Sequence, residues 1–506
     1  MVAKVITAAP IGFEGAIIEV EADAKSGLPT IQIVGMGNKS IDESKERVRS
    51  AIGNSLLQFP AKKITINLAP AELPKDGAYF DLPIAIAILI VSGQLRQQDI
   101  TDSVFAGELS LSGDLRPIRG AINITEAAKQ HKAARIYLPL ANALQATLIE
   151  GIEVIGVASL KELFLHLKGE IRLESTVPVV VSELELANPP FIDEVQGQDQ
   201  AKRALIIATA GRHNILLNGP PGAGKTMLAK ILVNLLPPLS YSEQIATTKL
   251  HSIAGEIDGE IVTRRPFRSP HHTASPVAII GGGNKPKPGE ISLAHLGVLF
   301  LDELPEYSRS TLEALRQPLE DKRVSIARVN GRIVYPADFM LVATMNPCPC
   351  GYAGDDSKEC TCTSQQIMTY QKKLSGPLLD RIDLIVNVSR VPHSSLVSQQ
   401  TLNNTQHAYA LNTIKKVMTH QLNRYKRSFQ YNGNLSASEV RRTIELSDDA
   451  RRLLSKASDK LLLSARAYFK IIKVARTIAD IDDSEIVQAE HVSEALQYRA
   501  DIGSRQ

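Results

Sequence analysis

The run Gly219-Pro220-Pro221-Gly222-Ala223-Gly224-Lys225-Thr226 decides the fold of this chain. It has the spacing GxxxxGK[ST]. Asn214-Ile-Leu-Leu-Asn218 before it reads as a short apolar strand, and Met227 to Leu235 after it as a helix. The glycines let backbone N–H groups curl around phosphates at a helix N-terminus. Lys225 brings a point charge to the β/γ-phosphates, and Thr226 offers a hydroxyl to Mg²⁺. The alternative is a glycine-rich turn before a helix, which does not account for the lysine in register with strand, loop and helix. The expected ligands are ATP and Mg²⁺, and the expected core is an α/β parallel sheet.

Working outward, Val298-Leu-Phe-Leu-Asp302-Glu303 places two carboxylates at the end of a four-residue apolar strand. Open α/β sheets bind ligands at that edge. Asp302 is expected to hold the Mg²⁺ shell and Glu303 to orient the attacking water. A third strand, Phe339 to Thr344, ends near Asn346, whose amide can both donate to the γ-phosphate and accept from water. Alone, that Asn-Pro would read as a turn start. Arg381, before the strand Leu384 to Val388, and Arg466, opening a helix, are candidate cations for the spreading γ-charge. Taken singly, each reads as a surface ion-pair partner.

The 506 residues suggest roughly three domains at about 150 residues each. With 44% hydrophobic and 22% charged residues the composition is globular, which excludes a mostly disordered or fibrous chain. The net charge of +3 excludes a polycation, so any nucleic-acid contact must come from local patches. The longest apolar run, Leu82 to Val91, is too short to span a bilayer, and the N-terminus lacks the apolar stretch of a signal peptide. The expectation is a cytoplasmic protein with no membrane partner. Residues 1–170 mix β-like runs (16–20, 31–34, 63–68) with helices such as Ser40 to Ser55, an α+β pattern. Residues 171–192 read as a linker, and 193–390 as alternating buried strands and helices. Residues 391–506 read as helical, with segments Ser436 to Leu446, Asp448 to Asp459 and Ser464 to Ile481.

The four cysteines fall at Cys348, Cys350, Cys360 and Cys362. Two CxC pairs could supply four thiolates to one tetrahedral Zn²⁺, although CxxC is the usual spacing and four reduced thiols in a loop is the alternative. The segment from Lys322 to Tyr335 reads as a β-hairpin around Asn330-Gly331. It carries Lys322, Arg323, Arg328 and Arg332, four cations suited to DNA phosphates, or a solvated edge that resists aggregation. A second basic stretch, Lys415-Lys416 with Arg424-Tyr425-Lys426-Arg427, is better read as a solvated helix face. The pair His271-His272 is too little for a metal site on its own and is assigned to an insert before the Asp302 strand.

Together these motifs resemble the AAA+ ATPases, and more closely the ComM/YifB family of magnesium-chelatase-like proteins. The resemblance rests on Phe267-Arg-Ser-Pro-His271-His272-Thr-Ala-Ser275, Gly281-Gly-Gly283, Lys287 to His295, Leu315-Arg-Gln-Pro-Leu-Glu320 and Asn346-Pro-Cys-Pro-Cys-Gly351, and covers essentially all of the chain. It implies a hexameric ring with ATP at subunit interfaces. Lys225, Thr226, Asp302, Glu303 and Asn346 would then act in cis. Arg381 would be the finger reaching the neighbour's nucleotide, and Arg466 the second sensor on a helical lid, with Arg476 as runner-up. It implies a DNA helicase acting on single-stranded and branched DNA, promoting branch migration in natural transformation. A chelatase-type or protein-remodelling ATPase is the rival. The N-terminal third is similar to the Lon protease domain, through Gly107 to Asp114 and Pro117-Ile118-Arg-Gly120. Where that family carries a Ser–Lys dyad, this chain carries Tyr79 and Ile122. A phenol and an alkyl chain cannot make an activated serine, so the expectation is an inactive protease fold.

Overall fold

The computed structural model describes residues 2–35, 39–73, 75, 77–178, 190–283, 286–328, 331–355, 358–390, 404–427 and 430–499, with backbone alone at 39–42, 328 and 331. Part of the expected linker therefore lies outside the described residues.

The first region is built on a seven-stranded mixed sheet. Its order is Thr30–Val34, Lys63–Ala69, Glu14–Lys25, Val2–Ile11, Ser103–Phe105, Arg135–Pro139, Glu153–Val157. The expected β-like runs fall inside three of these strands, and the expected helix runs Lys39–Asn54. Val2–Ile11 and Glu14–Lys25 form a long antiparallel hairpin, with Ile11 opposite Glu14. The apolar run near residue 82 is the helix Asp81–Val91, in which every residue from Asp81 to Ile90 is buried. A helix apolar all round belongs in a core. Its one acid, Asp81, is gripped by Arg47 through Nε at 2.7 Å and Nη2 at 3.1 Å.

The second region carries five parallel strands in the order Phe267–Arg268, Val298–Leu301, Met340–Met345, Ile215–Asn218, Leu384–Asn387. Parallel strands are buried on both faces, which is why these segments read as unbroken apolar runs rather than alternating ones. All four residues of Val298–Leu301 and all six of Met340–Met345 are buried. Every strand points its C-terminal end to the same edge, so the residues following Asn218, Leu301 and Met345 are brought together there.

The third region is helical, with helices Thr405–Tyr425, Ala437–Thr443, Asp448–Lys460, Ala465–Ile481 and Ala489–Gln497. Ser436 and Glu439 close a reciprocal cap, Ser436 N–H donating to the Glu439 carboxylate at 2.8 Å. The apolar core is continuous from the central sheet into these helices, since Ile207, Val386, Ile414 and Ile478 share one cluster.

Within the helices sits a buried ionic knot. Asp480, 1% exposed, accepts from Arg476 Nη2 at 2.9 Å, from Arg424 Nη1 at 2.9 Å and from Asn432 Nδ2 at 2.9 Å. Burial pulls the Arg476 guanidinium below its ordinary value, with Asp480 opposing the shift. Two expectations change here. Arg424 and Tyr425 turn inward, Tyr425 to Asn432, instead of forming a solvated basic face. Lys415, Lys416, Lys426 and Arg427 stay exposed as expected, Lys416 paired with Asp483 and Arg427 with Glu439. Arg476, the runner-up for the second sensor, is 1% exposed and fully engaged with Asp480 and the carbonyls of Ser484 and Glu485, so it has no reach toward a nucleotide. Removing Asp480 would strand the buried Arg476 guanidinium and the half-buried Arg424 one. Asp480→Ala should destabilise the helical region by about 3–5 kcal/mol, read as an earlier helix-melting transition by circular dichroism. A transition within about 0.5 kcal/mol of the parent would mean the knot is idle.

Candidate functional site at the strand edge

The strand Ile215–Asn218 runs into the glycine-rich loop. Gly222 and Gly224 have φ of 78° and 81°, a left-handed conformation that favours glycine. A Cβ added to either would meet nothing within 4 Å, so backbone conformation demands glycine there and open space lies above it. At Gly219 the demand is space instead, because a Cβ would fall 2.1 Å from the Val388 carbonyl oxygen. Lys225 opens the helix Lys225–Leu235, and its ammonium folds back into the loop. It donates to the Gly219 and Pro220 carbonyls at 2.6 and 3.0 Å and to Asn346 Oδ1 at 3.0 Å. Burial lowers its pKa, partly countered by Asp302 and Glu303 acting through space. A half-buried ammonium held by neutral oxygens, at the N-terminus of the helix Lys225–Leu235, is chemically matched to phosphate oxygens.

Asp302 and Glu303 follow the buried strand Val298–Leu301 and are exposed at the same edge. Glu303 has φ 53°, a left-handed conformation uncommon for a residue with a side chain, so the chain turns sharply where the strand ends. The adjacent strand sets both acids through one hydroxyl. Thr344, fully buried, donates to the Asp302 carboxylate and accepts the Glu303 backbone N–H at 2.9 Å. The oxygen donors Thr226 and Asp302 suit a hard divalent cation such as Mg²⁺.

Arg381 and Arg466 lie elsewhere. The Arg381 carbonyl accepts from Asn214 Nδ2 at 2.9 Å, at the start of the strand whose far end carries Gly219. Five residues of parallel strand span about 16 Å, at about 3.3 Å each. Arg381 is therefore anchored on the edge of the sheet opposite its own glycine loop. Arg466 is beside it, and both guanidiniums pair with Glu320, Arg466 at 2.9 Å.

Three families of known sequence describe nearly the whole chain. "Magnesium chelatase, subunit ChlI" matches residues 191–396, "Subunit ChlI of Mg-chelatase" residues 20–142, and "Magnesium chelatase, subunit ChlI C-terminal" residues 406–499. The chain is 42% identical over 503 residues to "Competence protein ComM" of Haemophilus influenzae, covering 98% of this chain and 97% of that protein. It is 43% identical over 501 residues to "Uncharacterized protein YifB" of Escherichia coli, covering 98% and 96%. The chain belongs to the ComM/YifB family of magnesium-chelatase-like AAA+ ATPases. It is also 27% identical over 188 residues to "Lon protease 2" of Bacillus subtilis, 33% of this chain and 34% of that protein. Among the described residues no helix is long and apolar enough to cross a membrane.

Further candidates in this ComM/YifB chain separate on structural grounds. The expected hairpin exists as Arg323–Arg328 paired antiparallel with Gly331–Pro336. Its register sets Arg328 opposite Gly331, so the connection is residues 329–330, one position earlier than Asn330-Gly331 predicts. Lys322 sits at the hairpin base and pairs with Asp338 at 3.1 Å, which also binds Arg212, so its charge is already matched. Arg332 donates to Ser325, Arg323 is exposed, and the Arg328 side chain lies outside the description. The four cysteine sulfurs come within 4.8 Å of one another. The His271 and His272 rings lie 4.1 Å apart, tilted by 34°, but gather no third metal-binding side chain among the described residues. Ile122 is fully buried, clustered with Leu148 and Ile149 and against Ile245 and Ile261 of the central region.

Sequence reasoning passed over Thr344 and Glu320. Each acts across a long chain separation, and the only local trace of Thr344 is a single hydroxyl ending an apolar strand. Thr344→Val keeps the shape and removes the bridge. We expect kcat for ATP to fall about 10- to 100-fold, the worth of a hydrogen bond to a charged group, with nucleotide Kd within about threefold. Lys225→Ala should instead abolish Mg-ATP binding in a fluorescent-nucleotide titration. Full ATPase in Thr344→Val would remove the bridge from the mechanism.

Proposed function

We propose that this chain assembles into a ring, with a hexamer as the expected size, and uses ATP hydrolysis to move single-stranded and branched DNA. The observation that supports this most directly is the split of the machinery between the two edges of one strand. Lys225, Asp302, Glu303 and Asn346 gather at the C-terminal edge, whereas Arg381 and Arg466 sit together on Glu320 at the other side. Both arginines would therefore serve the nucleotide of the next subunit. The relative named a competence protein supports DNA uptake and recombination as the setting.

In this reading Lys225 neutralises the β/γ-oxygens and Asn346, already on Lys225, orients the γ-phosphate. Glu303 aligns a water and takes its proton as the water oxygen attacks the γ-phosphorus. The β–γ bridging bond breaks, and ADP leaves with the electron pair. Mg²⁺, held by Thr226 and Asp302, would offset the charge developing between the phosphates. The guanidiniums stabilise that charge from across the interface. The hairpin would carry the DNA contact through Arg323, Arg328 and Arg332, with Lys322 retained at the base. The N-terminal region would act as a docking module without protease activity, because Ile122 occupies a packed interface where a catalytic lysine would need solvent.

Two experiments test this. A one-to-one mixture of Lys225→Ala and Arg381→Ala chains, each inactive alone, should regain about a quarter of parental ATPase, the share of random interfaces with both groups intact. No recovery with mixed rings present would place Arg381 in cis or outside catalysis. Single-stranded DNA should stimulate turnover, and Arg328→Ala with Arg332→Ala should remove the stimulation. A chain that stays monomeric with Mg-ATP and oligonucleotide, at a rate indifferent to DNA, would favour the chelatase-type or remodelling reading.

A further inference from the structure

We propose that Cys348, Cys350, Cys360 and Cys362 bind one Zn²⁺ and that the zinc-bound loop is a clasp holding the glycine loop and Asn346 in register. The sulfur geometry carries the metal. Sγ of Cys348 lies 3.3 Å from that of Cys350 and 3.7 Å from that of Cys360, and Cys350 to Cys360 is 3.6 Å. Four thiolates around Zn²⁺ at about 2.3 Å stand about 3.8 Å apart at tetrahedral angles. A disulfide would require about 2.05 Å. The separations match a shared ion and exclude a bond. All four sulfurs converge although they come from two arms nine residues apart. Backbone amides back the sulfurs, Ala353 N–H to Cys348 Sγ at 3.3 Å and Cys350 N–H to Cys362 Sγ at 3.4 Å. Such donors steady thiolate ligands from outside the coordination sphere. Soft sulfur donors in a closed set of four select zinc over Mg²⁺ or Ca²⁺.

The second half rests on what the loop touches. Cys348 is two residues beyond Asn346 on the same chain. Gly351, at φ 87°, packs so closely on the glycine loop that a Cβ would lie 2.6 Å from Pro221 Cδ. Arg390 donates to the Pro221 carbonyl at 3.1 Å, pairs with Asp355 at 3.5 Å and lies over the Tyr352 ring at 5.3 Å. Between the two CxC arms the described backbone makes only short turns, Gly351 N–H to Cys348 O and Asp355 N–H to Tyr352 O. Arg390 ties this loop to Pro221 from one side, and a metal on the four sulfurs joins its two arms to each other. The ion thus braces one wall of the nucleotide cradle without touching the nucleotide.

The test uses the full-length chain purified without chelator, and no step in it involves DNA or ring assembly, so it fails or succeeds apart from the motor reading. Elemental analysis should give about one zinc per chain, and Cys360→Ser and Cys362→Ser should each lose it. In the unaltered protein the four thiols should resist a thiol reagent until a zinc chelator is added. Stripping zinc should weaken binding of a fluorescent ATP analogue about tenfold, and Zn²⁺ alone should restore it. Substoichiometric zinc with freely reactive thiols, or iron in its place, would overturn the site. Full zinc with nucleotide affinity unchanged by stripping would overturn the clasp. If the serine variants fail to fold, the chelation and restoration measurements on the unaltered chain decide both points.

Discussion

One short strand sets the plan of this molecule. Ile215–Asn218 is hydrogen-bonded on both sides, and the residue before it, Asn214, ties three strands together. Its N–H donates to Asp383 at 2.9 Å, its Oδ1 accepts the Leu341 N–H at 2.8 Å, and its Nδ2 donates to the Arg381 carbonyl. Its own carbonyl accepts from the amides of Asp383 and Leu384. Arg381 is thus fixed to the start of the strand and Gly219 to its end. No rotamer of one arginine closes that gap, because a guanidinium reaches only about 7 Å from its Cα and the strand spans about 16 Å. The separation is covalent geometry plus a hydrogen-bonded sheet, so it survives any side-chain rearrangement. A catalytic site that needs both groups must take them from two chains.

The same constraint suggests how chemistry could reach the hairpin. Glu320 lies two residues before Lys322, which caps the helix Arg316–Asp321 and starts the turn into Arg323–Arg328. A carboxylate holding two guanidiniums competes with a phosphate for them. In the proposed ring a neighbour's triphosphate would offer the arginines a better anion and release Glu320. The helix it ends is continuous with the hairpin, while the hairpin base is pinned by Lys322 and Arg212 on Asp338. Motion at Glu320 would therefore pivot the hairpin about that base rather than carry it away whole. This remains part of the proposed motor, and its physical content is the competition of one carboxylate with phosphate for Arg381 and Arg466.

Much of this was legible in the sequence because it is local. The glycine loop, its lysine and the two carboxylates are each fixed by neighbours within a few residues, and apolar runs of four to six residues mark buried parallel strands. Asn346 was legible only with its strand. What escaped was long-range or composite. Thr344 serves Asp302 across 42 residues and Glu320 serves Arg466 across 146. The helix Thr405–Tyr425 buries His407, Ala410, Ile414, Val417 and Gln421, a helical stripe disguised by its polar members. Arg424 and Tyr425 read as part of a solvated helix face because charge in a sequence carries no direction. Asp480, 55 residues beyond Tyr425, turns them inward.

The N-terminal region shows most clearly how packing overrides an inherited pattern. Lys249 of the central region lies 2.6 Å from Glu126 and 4.2 Å above the Phe13 ring, and Ser252 accepts the Gly120 N–H at 2.9 Å. Tyr241 donates to the Leu148 carbonyl at 2.7 Å. These contacts run along one helix, Tyr241–Ala254, and seal the face that contains Ile122. A lysine at that position would bury an ammonium among isoleucines and leucines, at a cost of several kcal/mol. An isoleucine there stabilises the junction instead. The same junction touches the hairpin, since a Cβ on Gly12 would stand 2.7 Å from Ile333. A domain that had kept an open catalytic cleft at this face could not also bear on the hairpin. In the proposed reading docking and proteolysis would compete for one surface, and the packed apolar side chain at position 122 favours docking.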